Sequence, residues 1–205
     1  MNAMTKPLTA VAVAADYKPP VEVSIARTLN DLMQVIALRA VVYMSEQDCP
    51  YHEEYDGNDF SGATHLIARV GGEPVGVLRL RWFADFAKLE RLAILKDYRG
   101  GRATILLIDA AFELASRKGY RKIAGHAQPR LIAFWKRKYN GRVRADRPSF
   151  VFSDYEYTEL EADITPSADA ITIDTDPMVL LRPEGEWDRP GVLDRSAARA
   201  MGYGG

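Results

Sequence analysis

Leu89-Glu90-Arg91-Leu92-Ala93-Ile94-Leu95-Lys96-Asp97-Tyr98-Arg99-Gly100-Gly101-Arg102-Ala103-Thr104 reads as an apolar strand, a turn, a glycine pair flanked by arginines, and the opening of a helix. The first N–H groups of a helix have no partner within it and point outward, and the helix dipole favours negative charge there. Gly100 and Gly101 let the backbone come close to a ligand, while Arg99 and Arg102 add positive charge. This arrangement suits a diphosphate. On the strand, alternation sets Glu90, Leu92 and Ile94 on one face and Arg91 and Ala93 on the other.

The segments on either side extend the pattern. Val21 to Arg27 alternates as a half-buried strand, and Asn30 or Asp31 can cap a helix with Leu32, Val35, Ile36, Leu38 and Val42 on one face. Cys49 to Gly62 is a polar, turn-rich loop. His65 to Val70 and Pro74 to Trp82 read as a hairpin closed near Gly71-Gly72, and Lys88 to Leu95 as the next strand. Thr104 to Lys118 is a helix ended by Gly119. A strand over Tyr120 to Ala127, a short helix over Pro129 to Tyr139 and a strand over Phe150 to Glu159 follow, with no internal repeat.

After Leu160 the composition turns acidic, and Met178-Val179-Leu180-Leu181 reads as one added strand. Pro183 to Gly205 is expected to be an arm, extended on the domain or on a partner such as a second copy in a homodimer, or else disordered. The chain therefore divides into a flexible tail (1–20), one domain (21–160) and a C-terminal extension (161–205).

Bulk properties narrow the class. The 205 residues are 47% hydrophobic and 27% charged, as in a soluble globular protein, and the net charge of −1 argues against a general nucleic-acid binder. One cysteine, Cys49, excludes an internal disulfide framework and fits a reducing, cytoplasmic setting. No run reaches the roughly 18 apolar residues of a membrane span. Leu8 to Ala15 is short, with only Lys6 before it, so a tail is expected there rather than a secretory signal.

The glycine loop and the element order resemble the GNAT superfamily of acyl-CoA-dependent N-acyltransferases, over roughly Val21 to Leu160. That family's pyrophosphate loop reads Arg/Gln-x-x-Gly-x-Gly/Ala; here Arg102 stands at the second glycine position and Thr104 at the last small one. A second stretch is more specific. Arg39-Ala40-Val41-Val42-Tyr43-Met44-Ser45-Glu46-Gln47, then Cys49-Pro50-Tyr51, Glu54-x-Asp56-x-x-Asp59 and His65-Leu66 are similar to the ElaA-like branch. Arg39, the same acidic run and Arg79-Leu80 also resemble, more distantly, acyl-homoserine-lactone synthases, which usually keep a tryptophan between the arginine and the acidic run. This chain has none there.

The resemblance implies an α/β GNAT fold: a mixed, mostly antiparallel sheet with splayed central strands and helices on both faces. It implies acetyl-CoA or another acyl-CoA as donor, held by Arg99, Gly100, Gly101, Arg102, Ala103 and Thr104, with backbone N–H groups of Leu92, Ala93 and Ile94 on the thioester carbonyl. The acceptor is an amine of a small molecule or peptide, and no metal is implied. An amine arrives as an ammonium ion and must lose a proton before it attacks. Glu54, Asp56 and Asp59 are candidates to hold that cation, with Arg39 ordering the loop, although an acidic loop is also the ordinary form of a solvated turn. Glu90 is a candidate base acting through water, or else a salt-bridge partner of Arg79 or Arg81. His126, in a His126-Ala127-Gln128 run that the ElaA-like pattern shares, has a pKa suited to taking the proton.

The family's tyrosine, which protonates the departing thiolate, is replaced by Trp135, whose indole N–H is too weak an acid. Tyr139, one helical turn later, is the remaining candidate acid. Of the basic group Arg130, Lys136, Arg137, Lys138, Arg142, Arg144 and Arg147, one or two suit a 3′-phosphate and the rest a solvated face. Two other functions stay open: synthesis of an acyl-homoserine lactone or long-chain N-acyl amino acid, and non-catalytic acyl-CoA sensing or partner binding.

Overall fold

The computed structural model describes residues 19–196. The expected N-terminal tail lies outside them except for 19 and 20, as does the end of the C-terminal arm.

The chain opens with β1 (Val21–Ile25) and α1 (Leu29–Arg39), which runs without a break into a π-helical turn at Ala40–Ser45. A short α2 (Tyr51–Glu54) precedes β2 (Thr64–Val70), β3 (Glu73–Trp82) and β4 (Ala87–Ile94). The cap of α1 is Thr28, two or three residues ahead of the expected position, and Asp31 closes the box from its side: each side chain takes the other's backbone N–H. Then come α3 (Arg102–Arg117), β5 (Lys122–Ala127), α4 (Ile132–Tyr139), β6 (Arg142–Val143), β7 (Phe150–Phe152) and β8 (Tyr155–Asp163).

The strands form one mixed sheet in the order β1-β2-β3-β4-β5-β8-β6, with β7 added on β8. All neighbours are antiparallel except β4 and β5, which run parallel. One face packs on α3 through Leu66, Ala68, Leu78 and Leu80 against Leu107, Ile108 and Ala111. The other packs on α1 and its π-helical turn, with Ile67, Val77 and Ala93 against Val35, Leu38, Val42 and Tyr43. Strands covered on both sides read as continuous apolar runs, as in Leu66 to Ala68 of β2 and Val75 to Leu78 of β3.

Several segments differ from the reading of the sequence: the loop expected over Cys49 to Gly62 contains the short α2, and the two-residue β6 was not expected. The strand expected over Phe150 to Glu159 is a hairpin, β7 and β8, turned at Ser153 and Asp154, both with positive φ (48° and 61°). The strand expected at Met178 to Leu181 is instead a short helix, α5 (Pro177–Leu180). Four consecutive apolar residues cannot distinguish the two. Asp176 settles it by accepting from the Met178 N–H, and Pro177 takes the first helical position.

The C-terminal segment lies on the domain. Ile164, Ser167 and Ile171 donate backbone hydrogen bonds to Arg121, Ser116 and Arg117. Glu184 accepts from Thr64 and pairs with Lys118, Arg27 donates to the Glu184 carbonyl, and Trp187 is buried in the α3-side core. Among the described residues no helix is long and apolar enough to cross a membrane.

Candidate active site

The centre of the sheet opens where β4 and β5 part. Their parallel pairing covers three steps, Ala87 with Ile123, Lys88 with Ala124 and Leu89 with Gly125, and then ends. Gly125 makes the last contact close: a Cβ there would stand 3.1 Å from the Leu89 carbonyl oxygen. On its other edge β4 keeps β3, but two residues, Arg91 and Leu92, face the single step between Val77 and Arg79. This bulge sets Arg91 at φ 51°, and bulges re-aim the residues that follow. The Leu95 N–H goes to Val75, so by alternation that of Ile94 faces away from β3, into the gap. Tyr43, carried inward by the π-helical turn, donates its hydroxyl to the Leu92 carbonyl at 2.9 Å.

The glycine loop follows β4 directly. Gly100 sits at φ 73°, where a side chain would be strained, and Gly101 caps α3 with no side chain taking the N–H groups of the first turn. Those N–H groups are the ones that would face a phosphate. Arg102 is exposed, whereas the Ala103 side chain is buried in the core and only its backbone faces the loop. Arg99 is partly engaged: its Nε donates to the Ile94 carbonyl and its guanidinium pairs with Glu46.

Arg39, Glu54, Asp56 and Asp59 come together, and two further arginines complete the group. Arg39 has no exposed surface; it binds Glu54 and Asp59 through its side chain and the Glu54 carbonyl at 2.9 Å. Arg79, equally buried, donates to Asp56 at 2.7 and 2.9 Å, to Asp59 at 2.9 Å and to Glu90 at 3.0 Å. Arg91 reaches Glu54 at 3.1 Å and the Glu53 carbonyl at 2.8 Å, with its guanidinium over the Phe152 ring. Lys88 holds the second oxygen of Glu90 at 3.0 Å. Three arginines and a lysine thus face four carboxylates.

Burial alone would raise the Asp56, Asp59 and Glu90 carboxyls, but the arginines outweigh it and hold all three below the ordinary carboxylate range. Burial pushes Glu54 the other way, above its usual value, in spite of Arg39 and Arg91. Glu54 is fully buried, and only Asp56 keeps much contact with solvent, its side chain 28% exposed. Glu90 makes the salt bridge with Arg79 that the sequence offered as its second role.

His126 lies on the same face as Glu90, across the gap. Burial and Lys88 hold its imidazole below the ordinary value, against the opposing pull of Glu159 and Glu90. Tyr139 is directed elsewhere. Its hydroxyl donates to Asp109 of α3 at 2.9 Å, its ring stacks on Phe112, and burial together with that carboxylate raises its pKa. Trp135 lines a narrow crevice with Leu89, Phe112, Gly125 and His126. Sequence reasoning missed Arg91 and Lys88 as members of the site, and took Arg79 as a partner for Glu90 and as part of the lactone-synthase resemblance without joining it to the acidic run. Buried arginine is rare unless paired, so Arg79 within an apolar strand was the available signal.

A parallel pair that opens after three residues, a bulged strand and an uncapped glycine helix start are the architecture of the GNAT acyltransferases. The chain belongs to that family: residues 31–140 match the model of the acetyltransferase (GNAT) family. A Bacillus subtilis protein named as a candidate acetyltransferase is 30% identical over 110 residues, covering 53% of this chain and 75% of that protein. The crystal structure of Escherichia coli ElaA superposes with a TM-score of 0.62 at 18% identity, over 70% of this chain and 99% of ElaA. A CoA-dependent acyl-homoserine lactone synthase, BjaI, superposes at 0.55 with 16% identity, over 66% and 77%. These two likenesses are of fold.

Proposed function

We propose that this GNAT enzyme transfers an acyl group, acetyl in the first instance, from its CoA thioester to a primary amine by direct attack. The observation that carries the reading is the succession of parted strands, outward Ile94 N–H and bare start of α3, all within one continuous stretch. Gly101 and the first turn of α3 take the pyrophosphate through backbone N–H groups, with Arg102 adding charge and Thr104 lying just inside. Arg99 joins them by exchanging Glu46 for phosphate. Of the three backbone N–H groups from Leu92 to Ile94, that of Ile94 faces the gap and receives the thioester oxygen as it gains charge, the usual large electrostatic contribution to acyl transfer, while that of Ala93 faces β3.

His126 serves as base in preference to Glu90. Its lowered pKa leaves the imidazole neutral and able to accept a proton near pH 7, whereas Glu90 is held ionised by Arg79 and Lys88 and is correspondingly weak as a base. Glu54 and Asp59, spent on Arg39 and Arg79, set the shape of the acceptor loop, and Asp56 marks its rim. With Tyr139 tied to Asp109, the thiolate leaves with the proton shed by the attacking nitrogen. The free, buried Cys49 suits a reducing, cytoplasmic setting.

The test is release of free thiol from acetyl-CoA with a panel of amines, the acylated product identified by mass. Amine-dependent thiol release is expected. Tight acetyl-CoA binding without turnover on any amine would mean a sensor instead. One observation favours a second reading, a lactone or long-chain N-acyl amino acid synthase: Arg39, Glu54, Asp56, Asp59 and Arg79, which carry that resemblance, form a single network. Faster turnover of long-chain than of acetyl thioesters would establish it.

A further inference from the structure

One row of side chains on the site's face of the sheet remains unused by this reading. The register sets His126 opposite Glu159, Phe150 opposite Tyr157 and Phe152 opposite Tyr155, and alternate residues of β8 share that face. The row is continuous. Phe152 meets Tyr157 edge-on, Tyr157 stacks on Phe150 with centroids 5.9 Å apart, and Phe150 meets the His126 ring edge-on at 4.7 Å. Phe150, the ring beside the imidazole, is 43% exposed, and Tyr155, on the same face of β8, is 41% exposed, so the row is open to solvent. At its inner end the Glu159 carboxylate stands 3.7 Å from His126 Nε2.

We propose that this row is the acceptor subsite: Phe150 and Tyr157 take an apolar arm of the amine, and Glu159 positions the imidazole that receives its proton. The inference rests on the acyltransferase reading and adds the class of acceptor, a primary amine bearing an aromatic or branched hydrocarbon group. Glu159 holds the Nε2 side of the ring, leaving Nδ1 to take one proton from the ammonium ion. The free amine then forms the N–C bond as the C–S bond breaks; the second proton leaves the nitrogen with the thiolate, and His126 returns its own to water. The charged groups that face His126 are Lys88 and Glu90 of β4 and Glu159 of β8, with Arg144 3.8 Å behind Glu159.

The experiment measures kcat and KM with acetyl-CoA for 2-phenylethylamine and spermidine, in the wild type, Phe150→Ala and Glu159→Gln. The proposal expects phenylethylamine to exceed spermidine at least tenfold in kcat/KM. Phe150→Ala should raise KM for phenylethylamine about tenfold with little change in kcat. Glu159→Gln removes a negative charge from beside His126, so the acidic limb of the pH profile should move to lower pH by about one pH unit. A limb that stays in place overturns the positioning role of Glu159. Equal use of the two amines, or a Phe150→Ala enzyme with unchanged KM, overturns the acceptor subsite while leaving acyl transfer intact. Failure of the wild type to bind acetyl-CoA by calorimetry overturns both readings.

Discussion

Arg39 and Arg79 are the largest side chains without exposed surface, and each is bound by carboxylates from a different part of the chain. Removing one partner of such a group leaves a buried charge uncompensated. Arg39→Met is therefore expected to lower unfolding stability by about 3–5 kcal/mol, read from denaturant midpoints. The same groups set a pH dependence. His65 and His126 are held below 6.5 in the fold, so the unfolded chain binds more protons and stability begins to fall as pH drops below about 6.5. Asp56, Asp59 and Glu90 are held below their ordinary 3.8 and 4.5, adding stability that is lost as pH falls further, below about 4. Urea midpoints between pH 3 and 8 should show both declines; a flat profile would refute the network. Tyr139→Phe should change kcat less than about threefold, because the phenol it removes is bonded to Asp109. A loss of tenfold or more would restore Tyr139 as the acid. Single residues were legible where their chemistry is local, as with Arg39 and the acidic run. Arg91 was not, since only the bulge, a product of pairing with β3, turns it toward Glu54.

At the scale of elements, what sequence displays is periodicity, and what it hides is where pairing stops. The strand, glycine loop and helix at Leu89 to Thr104 were readable because strand alternation, glycines and helical spacing follow one another there. The β7–β8 hairpin was not, since its turn uses Ser153 and Asp154 where glycine or asparagine would have signalled left-handed residues. Nor does any local pattern announce the π-helical turn that brings Tyr43 to Leu92. Gly125 lets β4 and β5 approach closely at Leu89, the last paired step before they part. Gly125→Val should force them apart earlier. The expected outcome is a cost of about 1–3 kcal/mol in stability together with weaker acetyl-CoA binding, measured by denaturation and calorimetry on the same preparation. Unchanged binding would mean that the crevice is not set by this contact.

Across the whole molecule, the segment after β8 belongs to the fold, and composition alone did not reveal it. Its acidic, proline-containing sequence lacks periodicity, yet Trp187 enters the main core and Arg117 lies under the indole ring. Trp187→Ala should cost about 3 kcal/mol or more in unfolding free energy, as for other large buried side chains. The central claim, that the bare start of α3 receives the CoA diphosphate, is tested most directly by titrating acetyl-CoA calorimetrically into the wild type and Gly101→Glu. A Cβ at 101 stands 3.2 Å from the Tyr98 carbonyl, and the added carboxylate brings negative charge to the positive end of α3. The account predicts saturable binding to the wild type and at least a tenfold loss in the variant, with its thermal unfolding nearly unchanged. Equal affinity of the two proteins would contradict it.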